Sequence, residues 1–517
     1  MTELPNGRAP SMRRVLVVGN GMAGARFAEE LRQRDPGAAR FAITVAGEEP
    51  HAAYNRVLLS SVVAGSLTAR ETRLKPDGWW SARHIEVRTG SEVTAVDLVA
   101  RTATLGTGPA RPDRVLQWDE LVLATGSVPF VPPMEGDTGP GSGVVAFRTI
   151  DDCRRIAAHI GAARHAVVIG GGLLGLEAAR GLLGKGVDVT VVHAAAVPME
   201  RQLDADGGAV LARVVRELGA RLLLSRCVVA RHAPAGATPT VTLDDGTTLP
   251  ADLVVVSAGV RPRVDLARRI GLDVDRGVVV DDRLATSAPR VHAIGECSQH
   301  RGLVPGLVQP GWDQARVLAD VLSGADPDAC YEGTSVLTRL KAPDIDLTSM
   351  GTIEVGVHDP DHEVLAFTDP QRGRYAKLVL AGDRLVGAIL LGIGDASGSL
   401  TQLYDTAAVV PRDRLALMLG RAVTRASGPE PVNLAEMPGN TVICRCNTVT
   451  KSRIVAAHRD GCTTVDAVAD STRATTGCGS CTAAVAGLCA WLDSSDPPQH
   501  DPQARPDPVP ASAEGAA

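Results

Sequence analysis

The sequence predicts an α/β chain in which a glycine-punctuated βαβ unit occurs twice, followed by a region of short alternating runs and a small unit with paired cysteines. Three observations carry this. VLVVG (15–19) is an aliphatic run ending in glycine, with the helix-like GNGMAGARFAEELRQR beginning at its last residue. The same start recurs about 150 residues later in HAVVIGGGLLGLEAARGLLGKGVDVTVVH (165–193). Past residue 331 the texture shifts to short alternating runs, and the chain then presents CRC and CGSC.

Each element has a local reason. VLVVG reads as a strand buried on both faces, as in a parallel sheet. FAITVAGEE (41–49) is the second strand of that unit, and strand-like runs recur at DELVLATG (119–126), ADLVVVSAG (251–259) and RVHAIGE (290–296). In YAKLVLAGDRLVGAILLG (375–392), two runs flank Gly382-Asp383, which predicts an antiparallel hairpin. RASGPEPVNLAEMPGN (425–440) is rich in Pro, Gly and polar residues and reads as a linker. Residues 1–12 and the Pro-rich tail after Leu492 are expected to be disordered.

The 517 residues are too many for one core, so two to four domains are expected. Hydrophobic content of 44% and charged content of 22% suit a soluble globular protein, and 3% aromatics imply an aliphatic core. A net charge of −6 without a basic block argues against nucleic acid as a partner. No apolar h-region opens the chain, and no apolar run reaches the ~18 residues needed to cross a bilayer, so no membrane role and a cytoplasmic location are expected. In that compartment paired cysteines mean metal or redox chemistry rather than structural disulfides.

Gly19-Asn20-Gly21-Met22-Ala23-Gly24 fits GxGxxG between strand and helix. Gly19 permits the tight turn, Gly21 lets a pyrophosphate approach the backbone, and Gly24 permits close helix–strand packing. The phosphates would then sit at a helix N-terminus, where free N–H groups and the helix dipole favour negative charge. Glu48 ends the second strand and can accept hydrogen bonds from a ribose. Gly170, Gly172 and Gly175 form the second copy. Its second strand ends at His193, where an acid often marks an NAD site; His193 reads equally as a surface residue or an adenosine contact. No arginine follows immediately to favour a 2′-phosphate, so the choice between NADH and NADPH is only weakly specified, with NADH the first reading and NADPH the other. Glu177, expected on the first turn of the helix after Gly175, reads either as an acid favouring the dipole or as a contact near the nicotinamide.

On these motifs, residues 13–330 resemble the FAD- and NAD(P)H-binding oxidoreductases of the pyridine nucleotide-disulfide oxidoreductase type, which include rubredoxin and ferredoxin reductases. The resemblance implies two interleaved Rossmann-like dinucleotide-binding domains. FAD would bind 13–123 plus 252–330, NAD(P)H would bind 124–251, and 331–424 would be an α+β interface domain. ATGSVP (124–129), containing Thr125 and Gly126, looks like the outgoing crossover, and SAGVRP (257–262), containing Gly259, like the return. Thr286 through Ala293-Ile294-Gly295-Glu296 looks like the second FAD motif, with Glu296 where aspartate is usual. YNRVLLS (54–60) and MERQLD (199–204) are similar to the FAD-containing part of the assimilatory nitrite reductase large subunit and to the assimilatory nitrate reductase electron-transfer subunit. That places Arg56 by the flavin; Trp312 in GWDQA is either a flavin neighbour or a core residue. Ser61 and Val93 complete the cofactor-contact candidates. Relatives that use a thiol beside the flavin carry cysteine in the stretch matching HAAYNRVLLSS (51–61), and here there is none. Cys153, Cys227, Cys297 and Cys330 are solitary, and only Cys297 adjoins a cofactor motif.

Residues 441–492 carry Cys444 and Cys446, then Cys478 and Cys481, with 31 residues between the pairs. Each pair can aim two thiolates at one metal center, and a helix start beside each pair would stabilise anionic sulfur. A four-cysteine zinc site is the rival, but zinc usually takes two CxxC pairs about 15–20 residues apart. The segment resembles the bacterioferritin-associated ferredoxin-like [2Fe–2S] domain. Cys462 and Cys489 fall outside the pairs.

Together these features predict an FAD-dependent NAD(P)H oxidoreductase that turns hydride into single electrons. No catalytic acid, base or nucleophile is expected, because hydride transfer needs alignment above all. The family's full nitrite reductases continue into a siroheme–[4Fe–4S] region that is not present here. The expected acceptor is therefore a separate catalytic subunit, first a molybdenum nitrate reductase, second a nitrite reductase. Rivals are a stand-alone ferredoxin or rubredoxin reductase for an oxygenase, and a non-catalytic redox or iron sensor.

Overall fold

The computed structural model describes residues 12–106, 114–139, 141–234, 236–342, 344–418, 437–444, 449–475 and 481–495. The chain divides into two compact units, Met1–Ala422 and Val423–Ala517.

The larger unit holds two parallel five-stranded sheets of the same design. In the first, Arg13–Val18 lies between Phe41–Ala46 and Glu120–Leu123, and Val291–Ala293 and Ile85–Arg88 form the edges. In the second, His165–Ile169 lies between Asp188–His193 and Leu253–Val256, flanked by Arg221–Leu224 and Val144–Ala146. The central strands are aliphatic and buried, as parallel strands covered on both faces require. Helices Met22–Gln33 and Leu173–Leu183 follow the two glycine turns. The first packs against helix Val308–Ser323, so a segment from beyond the second sheet in the sequence returns to the first.

Leu253–Val256 pairs in parallel with both Val144–Ala146 and His165–Ile169, so it belongs to the second sheet. The boundary expected at residue 252 therefore falls too early. A short run of four buried aliphatic residues fits either sheet by composition, and only its pairing decides. The chain changes lobes just after it. Val260–Pro262 pairs antiparallel with Ser127–Pro129, so the outgoing and return crossovers run together as one two-stranded ribbon.

Residues 337–391 form a five-stranded antiparallel sheet, with helix Gly394–Thr406 packed on it. Its central hairpin is Arg374–Ala381 and Arg384–Leu391, turning at Gly382-Asp383 as predicted. A buried polar cluster joins this sheet to the second Rossmann-like lobe. Asp204 caps helix Ala205–Glu217 by accepting the Gly207 N–H at 3.0 Å. The same carboxylate accepts from Lys377 Nζ at 2.8 Å and from the Tyr375 hydroxyl at 2.7 Å. Lys377 Nζ also donates to the Ile353 carbonyl at 2.8 Å, and its side chain is 6% exposed. Burial alone would raise the Asp204 carboxyl, but Lys377, Tyr375 and Gly207 outweigh it and hold it below the ordinary value. Its contribution to stability is therefore present above the ordinary carboxylate range and lost as pH falls through the lowered value. Replacing Lys377 with methionine leaves a largely desolvated carboxylate without its cation and is expected to cost about 3 kcal/mol. The midpoint of denaturant unfolding reads this directly, and an unchanged midpoint would show that the pair contributes nothing.

The smaller unit has a short hairpin, Val442–Cys444 with Val449–Thr450, and helices Lys451–Arg459, Val465–Thr472 and Thr482–Ser495. Thr450 and Thr464 cap the first two helices through their side-chain oxygens. Ile454, Val468, Val485 and Leu488 form its core together with Cys444, Cys481 and Cys489.

Candidate functional site

The two glycine turns have matching geometry. Gly19 (φ +120°) and Gly170 (φ +117°) hold left-handed backbone, and a Cβ on either would overlap a carbonyl of the neighbouring strand end, Ala124 or Ser257. Gly24 and Gly175 pack their bare Cα against the carbonyls of Gly19 and Gly170. Gly21 and Gly172, by contrast, have nothing within 4 Å of a would-be Cβ. They are the N-caps of their helices, and neither helix has a side-chain cap or an acid in its first turn. The space beside both N-caps is thus open, at a helix end where the dipole and uncapped N–H groups favour an anion, which fits a pyrophosphate.

Around the first turn, Glu48 is exposed and ion-paired with Arg263. The Thr125 hydroxyl donates to the Arg263 carbonyl at 2.7 Å, and Gly126 (φ +69°) accepts the Arg263 N–H at 2.9 Å. Gly259 (φ +103°) accepts the Phe130 N–H at 2.9 Å, tying the two crossovers. Val93 is buried on strand Glu92–Asp97. Ser61 sits on helix Leu59–Ala64, which packs on Leu173–Leu183 of the second lobe.

Arg56 and Glu296 are brought together by Arg148, a residue that sequence reasoning missed. Arg56 Nη1 donates to the Arg148 carbonyl at 3.2 Å, and the Arg148 guanidinium pairs with Glu296. Ser127 Oγ accepts from Arg148 and donates to Glu296 Oε2, both at 2.7 Å. Arg56 also pairs with Glu49 and lies 5.0 Å from the Tyr54 ring centroid. The Tyr54 hydroxyl donates to Glu49 at 2.7 Å, and burial pushes it well above its ordinary value, so it stays protonated. Gln314, also missed, is 1% exposed and accepts the Gly295 N–H at 2.7 Å, fixing the turn that presents Glu296. Trp312, two residues earlier on that helix, is buried. The links through Arg148 and Gln314 carry no local sequence signal, since their partners lie well apart in the chain.

Two expectations are corrected in the second lobe. Glu177 is not in the first turn: the helix starts at Leu173, before Gly175, so Glu177 lies in its second turn and is 5% exposed. His193 is not a surface residue. It is 8% exposed, accepts the Gly171 N–H on Nδ1 at 3.1 Å, and turns Nε2 toward Glu200 Oε2 at 3.0 Å.

Cys297 is fully buried, its sulfur 3.5 Å and 3.3 Å from the carbonyls of Leu123 and Ile294, and burial pushes the thiol above its ordinary value. It therefore offers no ready thiolate. In the smaller unit Cys444 closes a strand and Cys481 immediately precedes helix Thr482–Ser495; both are buried in the same core. Cys481 Sγ accepts the Thr475 N–H at 3.3 Å, the kind of bond that tunes cluster sulfurs. Cys446 and Cys478 lie outside the described residues. The donor set of two thiolate pairs, with one member of each placed in a single core, fits an iron–sulfur cluster.

Residues 13–315 match the pyridine nucleotide-disulphide oxidoreductase family. The chain belongs to that family. This family member continues with a rubredoxin NAD+ reductase C-terminal domain at 337–404 and a BFD-like [2Fe-2S] binding domain at 442–491. It is an NAD(P)H oxidoreductase whose cofactors are FAD, NAD(P)H and a [2Fe–2S] cluster. It is 37% identical to a nitrite reductase [NAD(P)H] of Bacillus subtilis (strain 168) over 91% of this chain and 56% of that one. It is 36% identical to the assimilatory nitrate reductase electron transfer subunit of the same strain over 93% of this chain and 60% of that one. The chain thus spans 56–60% of the length of these relatives. Its fold superposes on a ferredoxin reductase from Rhodopseudomonas palustris with a TM-score of 0.69 at 26% identity, covering 79% of this chain and 99% of that one. Among the described residues, no helix is long and apolar enough to cross a membrane.

Proposed function

We propose that this oxidoreductase is an electron-transfer subunit that takes hydride from NAD(P)H and delivers electrons singly to a separate assimilatory nitrate reductase catalytic subunit, with a nitrite reductase as the second acceptor. When bound, FAD accepts the hydride and the [2Fe–2S] cluster passes on one electron at a time. The observation that carries this reading is the joining of the cluster domain to a flavin scaffold whose nearest motif cysteine, Cys297, is sealed among carbonyls. The exit for electrons is then the cluster. The likeness to the nitrate reductase electron transfer subunit, which extends over 93% of this chain, supports the choice of acceptor.

In this reading Gly19, Gly21 and Gly24 cradle the FAD pyrophosphate, Glu48 takes its ribose, and Glu296, steadied by Arg148 and Ser127, takes the ribityl chain beside Arg56. Gly170, Gly172 and Gly175 do the same for the nicotinamide nucleotide, with Glu177 behind them. Cys444, Cys446, Cys478 and Cys481 hold the cluster. Replacing Glu296 with glutamine removes the carboxylate that pairs with Arg148, whose side chain is 14% exposed. FAD is then expected to bind at least about tenfold more weakly, the size of one hydrogen bond to a charged group. Flavin fluorescence on release measures it, and an unchanged affinity would remove Glu296 from the flavin site.

The acceptor is tested by mixing the purified chain and NADH with a molybdenum nitrate reductase subunit and following nitrite. Nitrite formation that depends on both proteins supports the proposal. A second reading, a stand-alone ferredoxin reductase, is favoured by the 99% coverage of the Rhodopseudomonas palustris enzyme. Rapid reduction of a ferredoxin with no nitrite from the molybdenum subunit would select it.

A further inference from the structure

The end of the strand Asp188–His193 is where dinucleotide folds place the acid that hydrogen-bonds the ribose 2′-hydroxyl. Here the position holds a histidine, and the structure puts a carboxylate there by another route. The Gly171 peptide in the middle of the glycine turn is clamped on both sides: its N–H donates to His193 Nδ1 at 3.1 Å, and its carbonyl accepts the Met199 N–H at 3.0 Å. Because Nδ1 accepts, the ring proton sits on Nε2, which donates to Glu200 Oε2 at 3.0 Å. Met199 is 1% exposed and left-handed at φ +53°, a costly conformation for a side chain of that size. It reverses the chain so that Glu200, seven residues past His193, comes back over the strand end.

We propose that Glu200, oriented by His193, is the group that selects NADH over NADPH. The inference rests on reading residues 165–193 as the nicotinamide nucleotide site. The Glu200 side chain is 43% exposed, so the carboxylate reaches solvent where an adenosine ribose would lie beside the glycine turn. It can accept from a 2′-hydroxyl, and it repels a 2′-phosphate. Two cations lie nearby, and one is engaged elsewhere: Arg226, whose backbone N–H donates to the His193 carbonyl at 3.0 Å, turns its Nε to Asp245 at 2.6 Å. Arg201, the residue after Glu200, is exposed and serves as the control. His193 is a positioning residue, since it acts through Glu200 and the Gly171 peptide.

The test measures dissociation constants for NAD+ and NADP+ by calorimetry, beside kcat/KM for NADH and NADPH in dye reduction, on the full flavin-loaded chain. Wild type is expected to favour NAD+. Glu200→Gln keeps a partner for His193 and should shrink the preference at least about tenfold, through KM and not kcat, as loss of one charged hydrogen bond does. Glu200→Arg should reverse it, and Arg201→Ala should leave it unchanged. Flavin content confirms that each variant is folded. Wild type favouring NADP+, a preference that survives Glu200→Gln, or one that moves instead with Arg201→Ala would overturn the assignment. Failure of wild type to bind either nucleotide would instead overturn the nicotinamide reading of this lobe.

Discussion

Replacing Cys481 with serine is expected to strip the chain of its iron while NADH still reduces the flavin. Cys481 is 5% exposed in the core of the smaller unit, so a serine there offers neither the soft ligand nor a tolerated substitute. Loss of supporting contacts alone costs metal sites about 10–100-fold, so loss of a ligand should cut delivery to a one-electron protein acceptor by at least about a hundredfold. Ferricyanide, which can draw directly on reduced flavin, should be reduced at nearly the wild-type rate. Iron and sulfide analysis with the two acceptors in parallel reads the split. Full iron content, or equal losses with both acceptors, would show that Cys481 does not ligate the cluster through which electrons leave.

The second large effect is expected in the nicotinamide lobe. A valine at Gly175 would drive its Cβ into the Gly170 carbonyl and push helix Leu173–Leu183 away from the strand before it. Misplacing a bound group by an ångström costs about a hundredfold, so NADH should reduce the flavin at least that much more slowly. FAD should remain bound, because its own turn at Gly19–Gly24 is a separate structure, and dithionite should still bleach it. Gly172→Ala is the companion. Its Cβ meets no protein atom, so the fold should survive while nucleotide affinity falls, because the methyl occupies the space kept for the phosphates. Rapid-mixing flavin bleaching distinguishes the two, and wild-type rates in both would refute the pyrophosphate cradle.

Much of this was legible in the sequence because the signals are local. A buried strand, a glycine turn and a helix occupy consecutive residues, and both copies announce themselves at Gly19 and Gly170. The CxC and CxxC pairs are likewise read from spacing, although only Cys444 and Cys481 fall among the described residues. What the sequence hid depends on distant partners. Arg148 meets Glu296 across the two lobes, Gln314 holds Gly295 from another helix, and the buried role of His193 needs Gly171 and Glu200 around it. The place of Leu253–Val256 in the second sheet is hidden for the same reason: four aliphatic residues specify burial but not which strand lies beside them. The helix Val465–Thr472 escaped notice because it is short and its apolar face is made of alanines and valines.

In the proposed reaction hydride enters at a flavin and leaves as single electrons through a [2Fe–2S] cluster in the same chain. Anaerobic titration of the purified protein with NADH, followed by visible and low-temperature EPR spectra, tests it most directly. Flavin bleaching together with the EPR signal of a reduced [2Fe–2S] cluster is expected. Flavin bleaching with no cluster signal and only zinc in the metal analysis would contradict it.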